Sequence, residues 1–135
     1  MHSLANVNWL AVFVAPLSGF VLGFLWYGPL FGRAWMKLTG MTKEKGAEAN
    51  MALTFGGTYL LNVVVAIGLA TFLHQHGGLH AGLHAGVFAG LFFFATALGV
   101  VFLFEQKPFK LWLIDAGYQI VNFAAIGAIL GIWPA

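Results

Sequence analysis

Asp115, Gln119 and Asn122 fall at i, i+4 and i+7 with Tyr118 beside them, and Thr54, Thr58 and Asn62 fall at i, i+4 and i+8 with Tyr59 beside them. On a helix each set shares one face. A carboxyl, amides and hydroxyls on two facing stripes have the chemistry to hold a polar substrate or to pass a proton. An ionised acid at the centre of an apolar helix costs about 2.5–3.5 kcal/mol on insertion scales, so Asp115 is a site hypothesis by default. The competing reading is structural. Asp115 lies five residues past Lys110, about 7.5 Å along a helix axis, close enough to a membrane surface to stay hydrated. Arg33 or Lys37 would then clamp it. Thr, Asn and Gln also serve as ordinary interhelical glue, at about 0.6 kcal/mol per contact.

A second cluster is imidazole. His74, His76, His80 and His84 follow one another within eleven residues, and His2 lies near the start of the sequence. Imidazole ligates zinc, copper and nickel, and His80 and His84 share a helical face, so His76, His80 and His84 are the metal-ligand candidates. Their spacing matches no standard zinc signature. No Cys, Asp or Glu accompanies them to complete a ligand set or a second shell. Histidine is also a tolerable polar residue for a short interfacial turn. No cofactor is expected. HExxH, GxSxG, P-loop and dinucleotide fingerprints are absent, and the only serines are Ser3 and Ser18. No enzymatic activity is expected.

These residues need elements to position them, and composition says which. Only 7% of the 135 residues are charged and 61% are hydrophobic, against about a quarter charged in a soluble domain. Such a chain has no polar shell, so its solvent is lipid. All ten charged side chains sit in two windows, Arg33 to Glu48 and Glu105 to Asp115. Around these windows the chain has four apolar stretches of spanning length, 9–26, 51–73, 83–104 and 111–133. Unbroken runs satisfy their backbone as helices and lack the alternation of a membrane barrel. The expectation is an all-α integral membrane four-helix bundle, a single transmembrane domain over 1–135. The first run is not read as a cleavable signal, because its basic residues follow the apolar stretch instead of preceding it.

Threading follows from the loops. Loops one and three carry all six Lys and Arg, and the loop between spans two and three carries none. The positive-inside rule places those two loops in the cytoplasm and both termini outside, in a bacterial inner membrane. Anionic lipid on the cytoplasmic side is the expected partner; no aromatic-interleaved basic surface suited to nucleic acid is present. Trp9 and Trp133 mark the outer ends of spans one and four, and Trp26 and Trp112, with Tyr27, the inner ends. Trp35 belongs to a short interfacial helix over 30–38. Leu30, Phe31, Ala34, Trp35 and Leu38 share one face of it, with Arg33 and Lys37 at the edge. Pro29 suits its first turn and Gly40 its end, and Thr42 is an N-cap for a helix leading into span two. Pro29-x-Phe31-x-Arg33-x-Trp35 and Pro108-Phe109-Lys110-x-Trp112 give the two hairpins a faint likeness, through duplication or through shared interfacial selection.

Small residues complete the pattern. Ala15, Gly19 and Gly23 in span one, Gly82, Gly86 and Gly90 in span three, and Ala124, Gly127, Ala128 and Gly131 in span four form small-xxx-small stripes. They let helix backbones approach closely, either within one bundle or between copies, and a homo-oligomer is expected.

The run Leu25-Trp26-Tyr27-Gly28-Pro29-Leu30-Phe31-Gly32-Arg33-Ala34-Trp35-Met36, preceded by Asn8-Trp9-Leu10-Ala11-Val12, resembles the bacterial family catalogued as domain of unknown function 1761. Phe104-Glu105-x-x-Pro108-x-Lys110 with Ile114-x-Ala116-Gly117-Tyr118 extends the resemblance nearly end to end. It implies a small four-span membrane protein with no established activity. It also implies Asn in relatives where this chain has Asp115, and His where it has Gln119, which argues against either as a universal catalytic group. Non-enzymatic packing or association is the leading functional reading. A minimal transporter or channel around Asp115 stands second, and outward-facing metal binding third.

Overall fold

The computed structural model describes residues 8–40, 50–73 and 78–133. Its architecture is an all-α bundle of four helices long and apolar enough to cross a membrane, Trp9–Leu30, Ala52–Phe72, Gly78–Phe104 and Phe109–Ile132. These are spans one to four below. A short helix, Gly32–Thr39, follows span one and stops at Gly40, whose φ of 75° is left-handed and whose N–H donates to the Met36 carbonyl. No strand occurs among the described residues.

Span one is a helix that changes pitch twice, each time at a proline. Pro16 has no N–H to donate, and around it residues Ala15–Leu17 tighten to a 3-10 turn. Pro29 lies inside a wide π turn, Trp26–Leu30, where the Phe31 N–H donates to the Trp26 carbonyl at 2.8 Å. Span one therefore runs through Leu30 rather than ending at Trp26. Pro29 closes span one instead of opening the short helix, because the wide turn lets the helix pass the missing N–H without breaking. Pro108, by contrast, is the extended N-cap of span four, so the two proline motifs occupy different backbone positions.

Asn8 and Asn50 cap spans one and two, their side-chain oxygens accepting from the N–H groups of Ala11 at 3.2 Å and Leu53 at 3.1 Å. Asn50 fills the capping role at the start of the span-two helix; Thr42 and the expected helix around it lie outside the described residues. Span three ends in a tight turn. Gln106 takes a left-handed φ of 57°, and the Lys107 N–H closes back on the Phe102 carbonyl at 3.0 Å.

Span four is the central element, touching each of the others. Its contact with span three is backbone to backbone. A Cβ at Gly82 would strike the Gly127 carbonyl, one at Gly86 the Phe123 carbonyl, and one at Gly131 the Gly78 carbonyl. In lipid such close approach supplies the dispersion contacts that apolar burial cannot. The small-residue stripes of these two spans are thus consumed inside one chain. Spans one, two and four meet in a core of Val12, Ala15, Val63, Ala66, Leu69 and Ile126. The helix half of span two nearest the charged loops stands apart from this core, with Leu53, Phe55, Leu60 and Leu61 at least half exposed.

Candidate functional site

Span four carries its polar residues as a seam that different neighbours meet at different depths. Nearest the charged loops, the Tyr27 hydroxyl donates to Asp115 Oδ1 at 2.8 Å. Trp35 comes from the short helix to the same carboxyl, and its ring lies edge-on to Tyr27 with centroids 5.5 Å apart. One turn further, the Tyr118 hydroxyl donates to the Gly19 carbonyl at 2.7 Å. Deeper still, Asn122 is fully buried. Its Nδ2 donates to Asn62 Oδ1 at 3.1 Å and to Gln119 Oε1 at 3.2 Å. Asn122 lies thirteen residues past Phe109, about 20 Å along span four, so this junction is near the middle of the helix.

Gly19 makes the junction possible. A Cβ there would lie 2.7 Å from Asn122 Oδ1 and 3.1 Å from Asn62 Nδ2. Without one, two amides and a tyrosine converge on the bare backbone of span one. Asn122 Oδ1 has no hydrogen-bond partner at this point.

The seam therefore unites Asp115, Tyr118, Gln119, Asn122 and Asn62, and omits two candidates. Thr54 and Thr58 are exposed, and the Thr58 hydroxyl donates to the Thr54 carbonyl at 2.6 Å. Threonine on a helix can satisfy itself on the preceding turn, so its place on the Asn62 stripe forces no interhelical contact. The expected clamp of Asp115 by Arg33 or Lys37 is also corrected. Among the described residues the one ion pair is Lys107 with Glu105, at 3.0 Å and well exposed. Asp115 is half-buried between spans one and four, facing aromatic donors, while Arg33 and Lys37 remain exposed.

The tryptophans divide by role. Trp9 and Trp133 sit at the ends of the bundle that carry the termini, both partly exposed. Trp26 and Trp112 act as clamps between helices. Trp26 Nε1 donates to the Ile114 carbonyl at 2.9 Å, its ring passing over Gly117. Trp112 Nε1 donates to the Ala95 carbonyl at 2.9 Å, beside Gly99. Ala95 closes a π-helical stretch, Ala89–Ala95, within span three.

Two contributors take interhelical roles that their positions in the sequence did not assign. Tyr27 was legible only as an interfacial aromatic. Tyr59 donates to the Phe13 carbonyl on span one at 2.5 Å. The mid-span Pro16 was the available signal for it, since a proline frees carbonyls upstream that neighbouring helices must satisfy. Glycines also set how closely span four meets its neighbours. Gly19 and Gly23 face Tyr118, and Gly90 lies against Ile120.

His80 and His84 are exposed on the first turns of span three. His74 and His76 lie outside the described residues. Among the described residues no group of three or more His, Cys, Asp or Glu could hold a metal ion.

A family model described as "Protein of unknown function (DUF1761)" matches residues 10–131. No curated protein and no solved structure matches the chain.

Proposed function

The chain belongs to that family, DUF1761, and we propose that it is a non-enzymatic membrane module acting by association with a second copy of itself. The observation that carries this reading is how the polar groups are used. Tyr27, Tyr59, Tyr118, Trp26, Trp112 and Asn122 each donate from one helix to another. Donors used this way lock helices together and leave few free to bind a substrate. The small-residue faces of spans three and four are occupied internally, so association falls to the half of span two that stands apart, around Leu53 and Leu60. The module sits in a bacterial inner membrane, with loops one and three and their basic residues on anionic cytoplasmic lipid and both termini outside.

The chain contains no cysteine, so single cysteines report contacts cleanly. In isolated membranes treated with an oxidant, Leu53→Cys or Leu60→Cys gives a disulfide-linked dimer, while Leu103→Cys on span three gives none. A monomer at both span-two positions would overturn self-association there, and a cross-link to a different protein would replace the second copy with a partner.

A second reading, a minimal transporter or channel using the seam around Asp115, draws on one feature: the buried, unpartnered Asn122 Oδ1. In vesicles carrying a pH-sensitive dye, the leading reading expects no proton flux above protein-free vesicles. Flux abolished by Asp115→Asn would favour the transporter. Metal binding by His76, His80 and His84 ranks third, and metal analysis of purified protein tests it.

A further inference from the structure

Span three turns its glycine face to span four, and span two turns its core face to spans one and four. Neither helix fills the space between them. The result is a groove of about 880 Å³, within the usual range of small-molecule sites. Val65, Gly68 and Phe72 of span two form one wall, Ala85 and Phe93 of span three the other, and Phe123 of span four contributes from behind. A Cβ at Gly68 would meet nothing within 4 Å. His80 and His84 are the two ionisable side chains of the lining.

Depth gives the groove its meaning. Span three has 27 residues, about 40 Å at helical rise, against a hydrocarbon thickness of about 30 Å. Roughly 5 Å then projects at each end. His80, two residues into the span, falls at headgroup level, and His84, one turn deeper, starts about 4 Å below the hydrocarbon boundary, its side chain tilting back toward the helix N-terminus and the glycerol level. The groove runs from His80 to Phe93, about 20 Å, and ends near the middle of the span. Its length is therefore that of one leaflet, apolar along the chain region and polar at the headgroup.

A dry apolar groove facing lipid is filled by lipid, since a void forfeits contacts and water has no partners there. The histidines select the headgroup. Imidazole presents an N–H donor in either protonation state. All four acidic side chains of the sequence lie in or beside the loops at the other end, so no Asp or Glu repels a phosphate here. We propose that this groove binds one phospholipid from the leaflet on the side of the chain termini, with an acyl chain between spans two and three and its phosphate on His80 and His84. The site is independent of the association surface above.

The test is native mass spectrometry of the full chain released from vesicles containing dioleoyl phosphatidylglycerol and dioleoylglycerol in equal amounts. Wild type retains one phosphatidylglycerol in preference to the diacylglycerol by about tenfold, the ratio that one charge-assisted hydrogen bond supports. Gly68→Phe fills the groove and loses the phospholipid. Gly56→Phe, equally open but lower on span two, keeps it. His80→Ala with His84→Ala, both at exposed positions, removes the preference without touching the packed core, and decides the matter if Gly68→Phe fails to fold. Equal retention of the two lipids by wild type, or a preference unchanged in the double histidine variant, overturns the proposal.

Discussion

The Tyr27 hydroxyl and the Asp115 carboxyl, 2.8 Å apart, tie the π turn at the end of span one to the first turns of span four. A hydrogen bond to a carboxyl contributes about 1.5–3 kcal/mol when its partner is left behind unsatisfied, and half-exposure places this one at the low end. Tyr27→Phe should destabilise the protein by about 1–2 kcal/mol in detergent unfolding. Asp115→Asn keeps an acceptor oxygen for Tyr27 and should cost less. The reverse order would mean that a charge on Asp115, rather than its bond, holds the helices.

The buried amide pair predicts strong non-additivity. Asn62→Leu or Asn122→Leu alone leaves the other amide in an apolar centre, at about 1–3 kcal/mol. Replacing both removes the unsatisfied groups together, so the double variant should be more stable than the sum of the singles implies. A double-mutant cycle in which the effects simply add would show that the two amides do not depend on each other.

How much of this could be read from the sequence depends on what fixed each feature. The spans were legible because lipid tolerates few charges, and ten charged residues in two windows leave little choice. The asparagine junction was half legible: spacing put Asn62 and Asn122 on definable faces, but a face does not name its neighbour. Thr54 shares the Asn62 stripe and yet faces outward, because the Thr58 hydroxyl finds its own helix's carbonyl. Trp26 was legible only as an anchor, because an indole at a helix end suits the headgroups; its clamp on span four was not. What turned it inward is Gly117, 91 positions away in the chain, and no local pattern joins those two.

Spans three and four should fail at their glycines before they fail anywhere else. A Cβ at Gly82 or Gly86 meets backbone that cannot rotate away. Gly82→Ala or Gly86→Ala should therefore cost more than about 2 kcal/mol, within the range seen for overpacked cores. At Gly19 the colliding atom belongs to an Asn122 side chain that can move, so Gly19→Ala should cost less. Gly68→Ala, inside a helix and with open space, should cost nothing and raise stability by about 0.5 kcal/mol. Thermal unfolding of the four variants ranks them.

The turn between spans three and four offers a stabilising change. Gln106 holds a φ of 57°, a conformation that costs a residue with a Cβ about 1–2 kcal/mol and glycine almost nothing. Its side chain is exposed, so little packing is lost on replacement. Gln106→Gly should raise stability by about 0.5–1 kcal/mol after the added freedom of the unfolded chain is counted. A loss would show that the Gln106 side chain makes a contact worth more than the relief of its backbone.

Threading is the prediction on which the lipid site's leaflet depends. Arg33, Lys37, Lys43, Lys45, Lys107 and Lys110 all lie in, or one or two residues beyond, the loops at one end of the bundle, and none lies in the segment joining spans two and three. Four antiparallel crossings leave only two orientations. A fluorescent reporter at the C-terminus should stay dark if it folds only in the cytoplasm, and an alkaline phosphatase fusion at the same point should be active. Moving the balance should invert the result: neutralising Lys107 and Lys110 while adding two lysines between Leu73 and Gly78 narrows the six-to-none asymmetry to four against two. Because charge bias works through short loops near span ends, that variant should give a mixed population of both orientations. A C-terminus that stays outside in every molecule of it would mean that span packing, rather than charge, sets the threading.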